Sequence, residues 1–242
     1  MTVKPKDMGL SLILPVWNEE HCVGATLREA HAVLRAQARP FEILAVDDGS
    51  NDRTHELLRG LARELAALRV LRLNPHSGQS AAMWAGLRHS RGAILVFMDA
   101  DGQNDPADIP KLIAGLESHD VCCGYRADRQ DSLSKRLGSR LANFVRNRVL
   151  GERIRDTGCS LKAFKRHVLA DLPVWDGMHR FLPALAAMKG AAIAEVPVNH
   201  RPRPAGKSKY TNRGRLLHTL ADLRGVRWMK SRYRRFEVEV CE

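Results

Sequence analysis

The stretch Ile94-Leu95-Val96-Phe97-Met98-Asp99-Ala100-Asp101-Gly102-Gln103-Asn104-Asp105-Pro106 passes from apolar β-formers to two carboxylates spaced one residue apart. Ile94 to Phe97 predicts a buried strand, and the carboxylates fall where that strand must end. Residues two apart on extended chain point the same way. Asp99 and Asp101 are therefore expected to face one spot, with Gln103 continuing the row as a neutral oxygen donor. Such a set suits Mg²⁺ or Mn²⁺ and leaves coordination positions open for other oxygens. The same residues also suit a turn, since Asp, Gly and Asn favour turns and Asp105-Pro106 reads as the cap and first position of a following helix. Taken alone, the stretch is compatible with both.

Working outward, Leu10 to Val16 predicts a first buried strand, followed by Trp17-Asn18-Glu19-Glu20 and a helix to about Gln37. Phe41 to Val46 predicts a second strand ending in Asp47-Asp48-Gly49-Ser50, then a helix over about 53–67 with an apolar stripe of Leu57, Leu58, Leu61 and Leu65. A third strand is expected at 70–73 and a third helix at about 79–89. Alternation at this spacing implies a mostly parallel sheet covered by helices, with ligands outside the carboxyl ends of its strands. Three polar clusters fall at those ends: Asn18/Glu19, Asp47/Asp48 and Asp99/Asp101/Gln103. A turn would have to be invoked three times over, whereas one nucleotide-plus-metal site uses all three clusters. Neither a GxxxxGK[ST] loop nor a GxGxxG after the first strand is present.

The formal net charge is +12, distributed unevenly: −3 over residues 1–125 and +8 over 201–242. A basic segment can serve nucleic acid, anionic lipid or a small ligand's phosphates. Nucleic acid is disfavoured, because aromatics are scarce and no helix-turn-helix, zinc-finger or RNP-like pattern accompanies the basic residues. The 5 cysteines form no CxxC and no zinc-like spacing, as expected for reduced thiols in a cytoplasmic protein. Neither a signal peptide nor a membrane span is expected; the best apolar candidate, 181–198, is broken by Lys189, Gly190 and Glu195.

LPVWNEE (14–20), VDDGSNDRT (46–54), SGQSAAMWAGLRHSRG (77–92), FMDADGQNDP (97–106) and DTGCSLKAFKR (156–166), joined by GKSKY (206–210), resemble family 2 glycosyltransferases of the GT-A fold. The similarity is to the polyprenyl-phosphate sugar transferases, the dolichol-phosphate mannose synthase-like subgroup. It implies an α/β, Rossmann-like sheet flanked by helices and ending in a C-terminal amphipathic helix. It further implies inverting transfer of a single mannose- or glucose-type sugar from a nucleoside-diphosphate sugar to a polyprenyl phosphate. Pro15, Asn18, Glu19, Asp47, Asp48 and Gln79 would line the nucleotide-sugar site, and Asp99, Asp101 and Gln103 would hold Mg²⁺ or Mn²⁺ against the diphosphate.

Arg126 stands at the end of a strand expected over 120–123, and Arg136 and Arg140 lie one turn apart on a helix over 133–150, placed to contact phosphate. Arg146 and Arg148 are expected on a solvated or lipid-facing surface. Asp156 occupies the place where inverting relatives carry an acidic residue near the acceptor; it also fits a turn or cap. A phosphate monoester, largely ionised at neutral pH, needs no base, so with that acceptor Asp156 would orient groups. The basic loop 199–210 is barred from regular structure by Pro202, Pro204 and Gly206, and offers Arg203, Lys207, Ser208 and Lys209 to phosphate. A helix over 215–231, with Leu216, Leu217, Leu220 and Leu223 on one side, either packs on the domain or lies on anionic lipid. The expected organisation is a catalytic domain over 1–205 followed by the basic loop and helix of 206–242. The expected location is the inner face of a membrane, held peripherally by anionic lipid or a membrane-protein partner. Transfer to a saccharide hydroxyl, with Asp156 as base, is the rival enzyme; a non-catalytic basic binding protein is the rival of another class.

Overall fold

The structure is a computed structural model that describes residues 9–127, 133–203 and 212–234. Its strands are Leu10–Val16 (β1), Phe41–Asp47 (β2), Leu68–Arg72 (β3), Ile94–Phe97 (β4), Val121–Arg126 (β5), Lys162–Lys165 (β6) and Ile193–Val198 (β7). They form one sheet in the order β3-β2-β1-β4-β6-β5-β7. β1 pairs in parallel with β2 and β4, β2 with β3, and β5 with β7, while β6 runs antiparallel between β4 and β5. The expectation of a mostly parallel α/β sheet is met. β6 itself was not anticipated, because a four-residue strand with lysines at both ends has no legible alternation.

Period-2 alternation along β1 feeds two cores. Leu10, Leu12, Leu14 and Val16 pack on one face with Leu27, Leu34 and Leu58, whereas Ile13 packs on the other with Leu95, Phe97, Phe164 and Phe181. The first face is covered by helices Val23–Arg35 (α1), Thr54–Glu64 (α2) and Ile109–Gly115 (α4). Gln79–His89 (α3) and Leu182–Met188 (α6) lie on the second. Leu133–Leu150 (α5) and Asn212–Arg232 (α7) pack against each other, and α7 also meets α6.

One surface expectation is corrected. Arg146 is buried at 7% exposure, because its stretch of α5 turns inward against Phe181; Arg148 is exposed as expected. Of the leucines expected on one side of α7, Leu216 and Leu217 have side chains outside those described. Leu223 and Val226 are buried, but Leu220 and Trp228 are 39% and 63% exposed.

Gly86 lets α3 approach the sheet closely. A Cβ there would overlap Ile13 Cγ2 and stand 3.3 Å from Val46 Cγ2. Overpacking costs about 1–3 kcal/mol and exceeds the roughly 1 kcal/mol that alanine gains over glycine inside a helix. Gly86→Ala should therefore lower the urea midpoint by the equivalent of about 1 kcal/mol, measured by equilibrium denaturation with an unchanged m-value.

Candidate functional site

Parallel pairing places the ends of β1, β2, β4 and β5 along one edge of the sheet. Because β6 runs the other way, its beginning lies on that same edge: Lys162 is the register partner of Phe97 in β4 and Cys123 in β5. The DTGCS segment thus lands beside the acidic loop. Ser160 Oγ donates to Asn104 Oδ1 at 2.8 Å, and that oxygen also receives the Asp99 N–H at 3.2 Å. The loop after β7 closes the other side, with an isolated bridge between Asn104 and His200 and Arg201 N–H donating to Gln103 O at 2.9 Å. Arg201 fastens this loop to Glu29 and Asp105.

Asp99 and Asp101 face the same space, as their spacing requires. Burial, followed by the neighbouring Asp101 carboxylate, pushes Asp99 up to about 6, against the pull of Ser160 and Lys162. Asp101 is also raised, first by burial; the Gln103 N–H at 3.1 Å and the Arg203 charge oppose that shift. Gln79 Nε2 donates to Asp99 Oδ1 at 3.0 Å. Two half-buried carboxylates held at one spot, each disfavoured as an anion, are the environment that a divalent cation relieves. Among the described residues no three His, Cys, Asp or Glu side chains form a metal-holding group. Asp99 and Asp101 are the carboxylates that could hold such an ion, with the Gln103 amide next in line. That number suits Mg²⁺ or Mn²⁺ shared with phosphate oxygens. The Gln103 amide nitrogen lies 3.4 Å from His200 Nε2, an imidazole that sequence reading had left within the basic loop.

Two cavities share this centre. The first, about 390 Å³, is lined by Pro15, Trp17, Glu19, Asp48, His76 and Gly78, among others. Its wall includes Trp17 stacked on His76, ring centroids 4.4 Å apart. The second, about 300 Å³, is lined by Gln103, Arg126, Thr157, Ser160 and Lys162, among others. Pro15, Gln79, Asp99, Asp101, His179, Arg180 and Arg203 line both.

The expected site residues divide accordingly. Pro15, Glu19, Asp48, Gln79, Asp99, Asp101, Gln103, Arg126 and Arg203 line one or both cavities. Asp48 does so while its carboxylate accepts the Ser77 and Gly78 N–H groups, both at 2.8 Å, so it also fixes the loop that starts α3. Asn18 and Asp47 stand behind the cavities rather than on their walls. Asn18 receives the Asn51 N–H, and fully buried Asp47 receives the Ser50 N–H and faces His55 and Arg72. Asp156 is likewise withdrawn. Its two oxygens clasp Arg126, Nε at 2.7 Å and Nη2 at 2.9 Å, and it aims that guanidinium into the second cavity. Arg136 and Arg140 fall on α5 at positions whose side chains lie outside those described, and Lys207, Ser208 and Lys209 lie outside the described residues.

Trp17, His76, Lys162, His179 and Arg180 were not read as site residues from sequence. His179 and Arg180 sit on a separate 3-10 turn, Met178–Phe181, ahead of α6 and entered through Gly177 at φ +94°, and that glycine was the available signal for a break.

The chain matches the profile of glycosyl transferase family 2 over residues 11–172. It belongs to that family. This family 2 glycosyltransferase is 37% identical over 227 residues to the dodecaprenyl-phosphate galacturonate synthase of Rhizobium johnstonii, covering 91% of this chain and 67% of the relative. It is 39% identical over 224 residues to the undecaprenyl-phosphate 4-deoxy-4-formamido-L-arabinose transferase of Pseudomonas aeruginosa, covering 91% and 66%. The chain thus spans about two thirds of the length of these relatives. Among solved structures, glucosyl-3-phosphoglycerate synthase from Mycobacterium tuberculosis with Mn²⁺, uridine diphosphate and phosphoglyceric acid superposes with a TM-score of 0.64 at 22% identity, covering 92% of this chain and 78% of that one. The same enzyme with Mg²⁺ and uridine diphosphate gives 0.62 at 21%. These likenesses establish the GT-A-type fold and bear out the resemblance to polyprenyl-phosphate sugar transferases.

Asp101→Asn removes one of two like charges held out of water. It should leave the melting temperature of the metal-free protein unchanged or higher while weakening Mn²⁺ binding at least tenfold, read by electron paramagnetic resonance titration.

Proposed function

We propose that this chain is a metal-dependent, inverting glycosyltransferase that moves a single sugar from a nucleoside-diphosphate sugar to a polyprenyl phosphate. The observation that carries this is the charge of the second cavity. Apart from Asp99 and Asp101, every charged side chain in its lining is cationic: Arg126, Lys162, Arg180 and Arg203. Such a lining suits a phosphate and has no carboxylate left over to serve as base toward a hydroxyl. A phosphate monoester is already a nucleophile at neutral pH, and Asp156, committed to Arg126, acts by orienting it.

The nucleotide takes the first cavity, with its base and ribose toward Pro15, Trp17 and Asp48 and its diphosphate toward Asp99 and Asp101. A Mg²⁺ or Mn²⁺ ion held there neutralises charge developing on the leaving diphosphate. Among the described residues the carboxylates common to both cavities are Asp99 and Asp101, both assigned to the metal, which favours direct displacement with inversion at the anomeric centre over a covalent glycosyl intermediate. Mannose and glucose are the sugars that the sequence resemblance implies; the relatives are named for galacturonate and for 4-deoxy-4-formamido-L-arabinose. The proposal is for one sugar per turnover, whichever of these the donor carries. Arg136, Arg140, Lys207, Ser208 and Lys209 are proposed as further phosphate contacts.

No helix among the described residues is long and apolar enough to cross a membrane. We assign a peripheral contact with an anionic membrane, at its inner face, to the outer sides of α5 and α7. There Phe144 and Trp228 are 67% and 63% exposed, with Arg148, Arg224 and Arg227 also exposed.

A panel of nucleotide sugars with Mn²⁺, offered a short-chain polyprenyl phosphate or the corresponding free polyprenol, tests the acceptor. Transfer should require the phosphate. Arg126→Met should lower acceptor kcat/KM about 30- to 150-fold, the weight of a charged hydrogen bond of about 2–3 kcal/mol. Efficient transfer to the alcohol, lost in Asp156→Asn, would overturn the proposal in favour of a hydroxyl acceptor. In flotation assays, vesicle binding should fall steeply between 0.1 and 1 M salt, since each surface cation contributes roughly 1 kcal/mol and is screened within about 10 Å at 0.1 M. A salt-resistant bound fraction would point instead to a buried apolar anchor or, in native membranes, to a membrane-protein partner.

A further inference from the structure

The 3-10 turn Met178–Phe181 carries the two side chains, His179 and Arg180, that reach both cavities from outside the sheet edge. Three helices grip it. From α3, Ser80 Oγ receives the Gly177 N–H at 2.9 Å and lies 2.8 Å from His179 Nδ1. From α7, Thr219 Oγ1 receives Arg180 Nη1 at 3.0 Å. From α5, Arg146 Nη1 donates to the Arg180 carbonyl at 2.7 Å, and its guanidinium lies over the Phe181 ring, 4.9 Å from the centroid.

Arg146 is an expensive way to hold a carbonyl. Its side chain is 9% exposed, and its ionic partner Glu152, 4% exposed, stands 3.5 Å away. Among the described residues, Arg146 Nε and Nη2 and both Glu152 carboxylate oxygens are buried with no hydrogen-bond partner. Burial accordingly pulls the arginine down and pushes the glutamate up from their usual ranges. Desolvating two ions that are so incompletely hydrogen-bonded offsets their attraction, and apolar residues of like volume would stabilise this core as well or better. What Arg146 does that an apolar residue cannot is bond the backbone of Arg180.

We infer that Arg146 is a positioning residue for the transfer reaction: through the Arg180 carbonyl it sets the turn so that the Arg180 guanidinium reaches the passage between the two cavities, where the phosphate oxygens of donor and acceptor meet. Arg180 is the group that touches substrate, Arg146 acts through it, and Glu152 keeps Arg146 charged. This rests on the assignment of donor and acceptor to the two cavities. Misplacement of a contact by about 1 Å can cost on the order of a hundredfold in rate without loss of ground-state binding.

The test compares wild type, Arg146→Met/Glu152→Leu, Arg180→Ala and the triple combination. Each is assayed with a UDP-sugar that the wild type turns over and a short-chain polyprenyl phosphate, with the melting temperature and the Kd for UDP plus Mn²⁺ measured in parallel. Replacing the ion pair should leave the melting temperature equal or higher and the UDP Kd within about twofold, while kcat falls about 10- to 100-fold. In the Arg180→Ala background the same replacement should cost less than about twofold more, because the residue it acts through is gone. Should the double replacement not fold, Arg146→Lys, which keeps the buried charge and loses the planar guanidinium, carries the same comparison. Unchanged kcat, or losses that multiply with Arg180→Ala, would overturn the inference while leaving the acceptor assignment standing. A wild type that turns over no donor in the panel would sink that assignment, and this inference with it.

Discussion

Two half-buried carboxylates that face the same space are the constraint on which the site depends. Asp99 and Asp101 occupy alternate positions just beyond β4, so extended backbone geometry aims both at one place. Burial works against ionisation of both and pushes both upward; the Asp101 charge adds to the shift of Asp99, and the Glu19 charge adds to that of each. The surroundings offset part of that cost with donors: the Gln79 amide, the Gln103 N–H, the Lys162 charge and the Arg203 charge. None of these donors removes the repulsion, which is the physical condition for high affinity toward a divalent cation.

β6 is what converts this acidic loop into a site with two sides. A sheet of parallel strands alone would present only βα loops at this edge. One reversed strand between β4 and β5 brings its leading segment, Asp156 to Leu161, to the same edge and sets it against Asn104. The Asp156 carboxylate can then grip Arg126 at the end of β5, so a second, cation-lined cavity forms that shares Asp99 and Asp101 with the first. On the other flank, Arg203 reaches over from the loop after β7 to Glu19, tying that loop to the end of β1. The contacts that build the site are thus long-range in sequence, and several of them are ionic pairs of low exposure.

Much of this was written in local sequence. The strands β1, β2 and β4 and the helices α3 and α5 follow from apolar runs and periodicity. The order of polar clusters places Asn18/Glu19, Asp47/Asp48 and Asp99/Asp101 at one edge because parallel connections leave no other arrangement. The convergence of Asp99 and Asp101 was legible because two-residue spacing on extended chain has one geometric consequence. The motifs also identified the family, which the profile match over 11–172 bears out.

Tertiary structure alone decided how these residues share the work. Asp47 and Asp48 are adjacent and chemically identical, yet successive positions on a strand end point to opposite sides: Asp48 lines the first cavity while Asp47 is buried behind it among Ser50, His55 and Arg72. Asp156 reads from sequence equally as base, cap or orienter, and only the antiparallel return of β6 brings it to Arg126. Arg146 reads as a surface residue because its helix is rich in arginine; the packing of α5 beside Phe181 puts it inside. Sequence determines which chemistry is carried and the local direction in which each side chain leaves the backbone. Which groups meet is determined by contacts between residues tens of positions apart, and no local pattern encodes them.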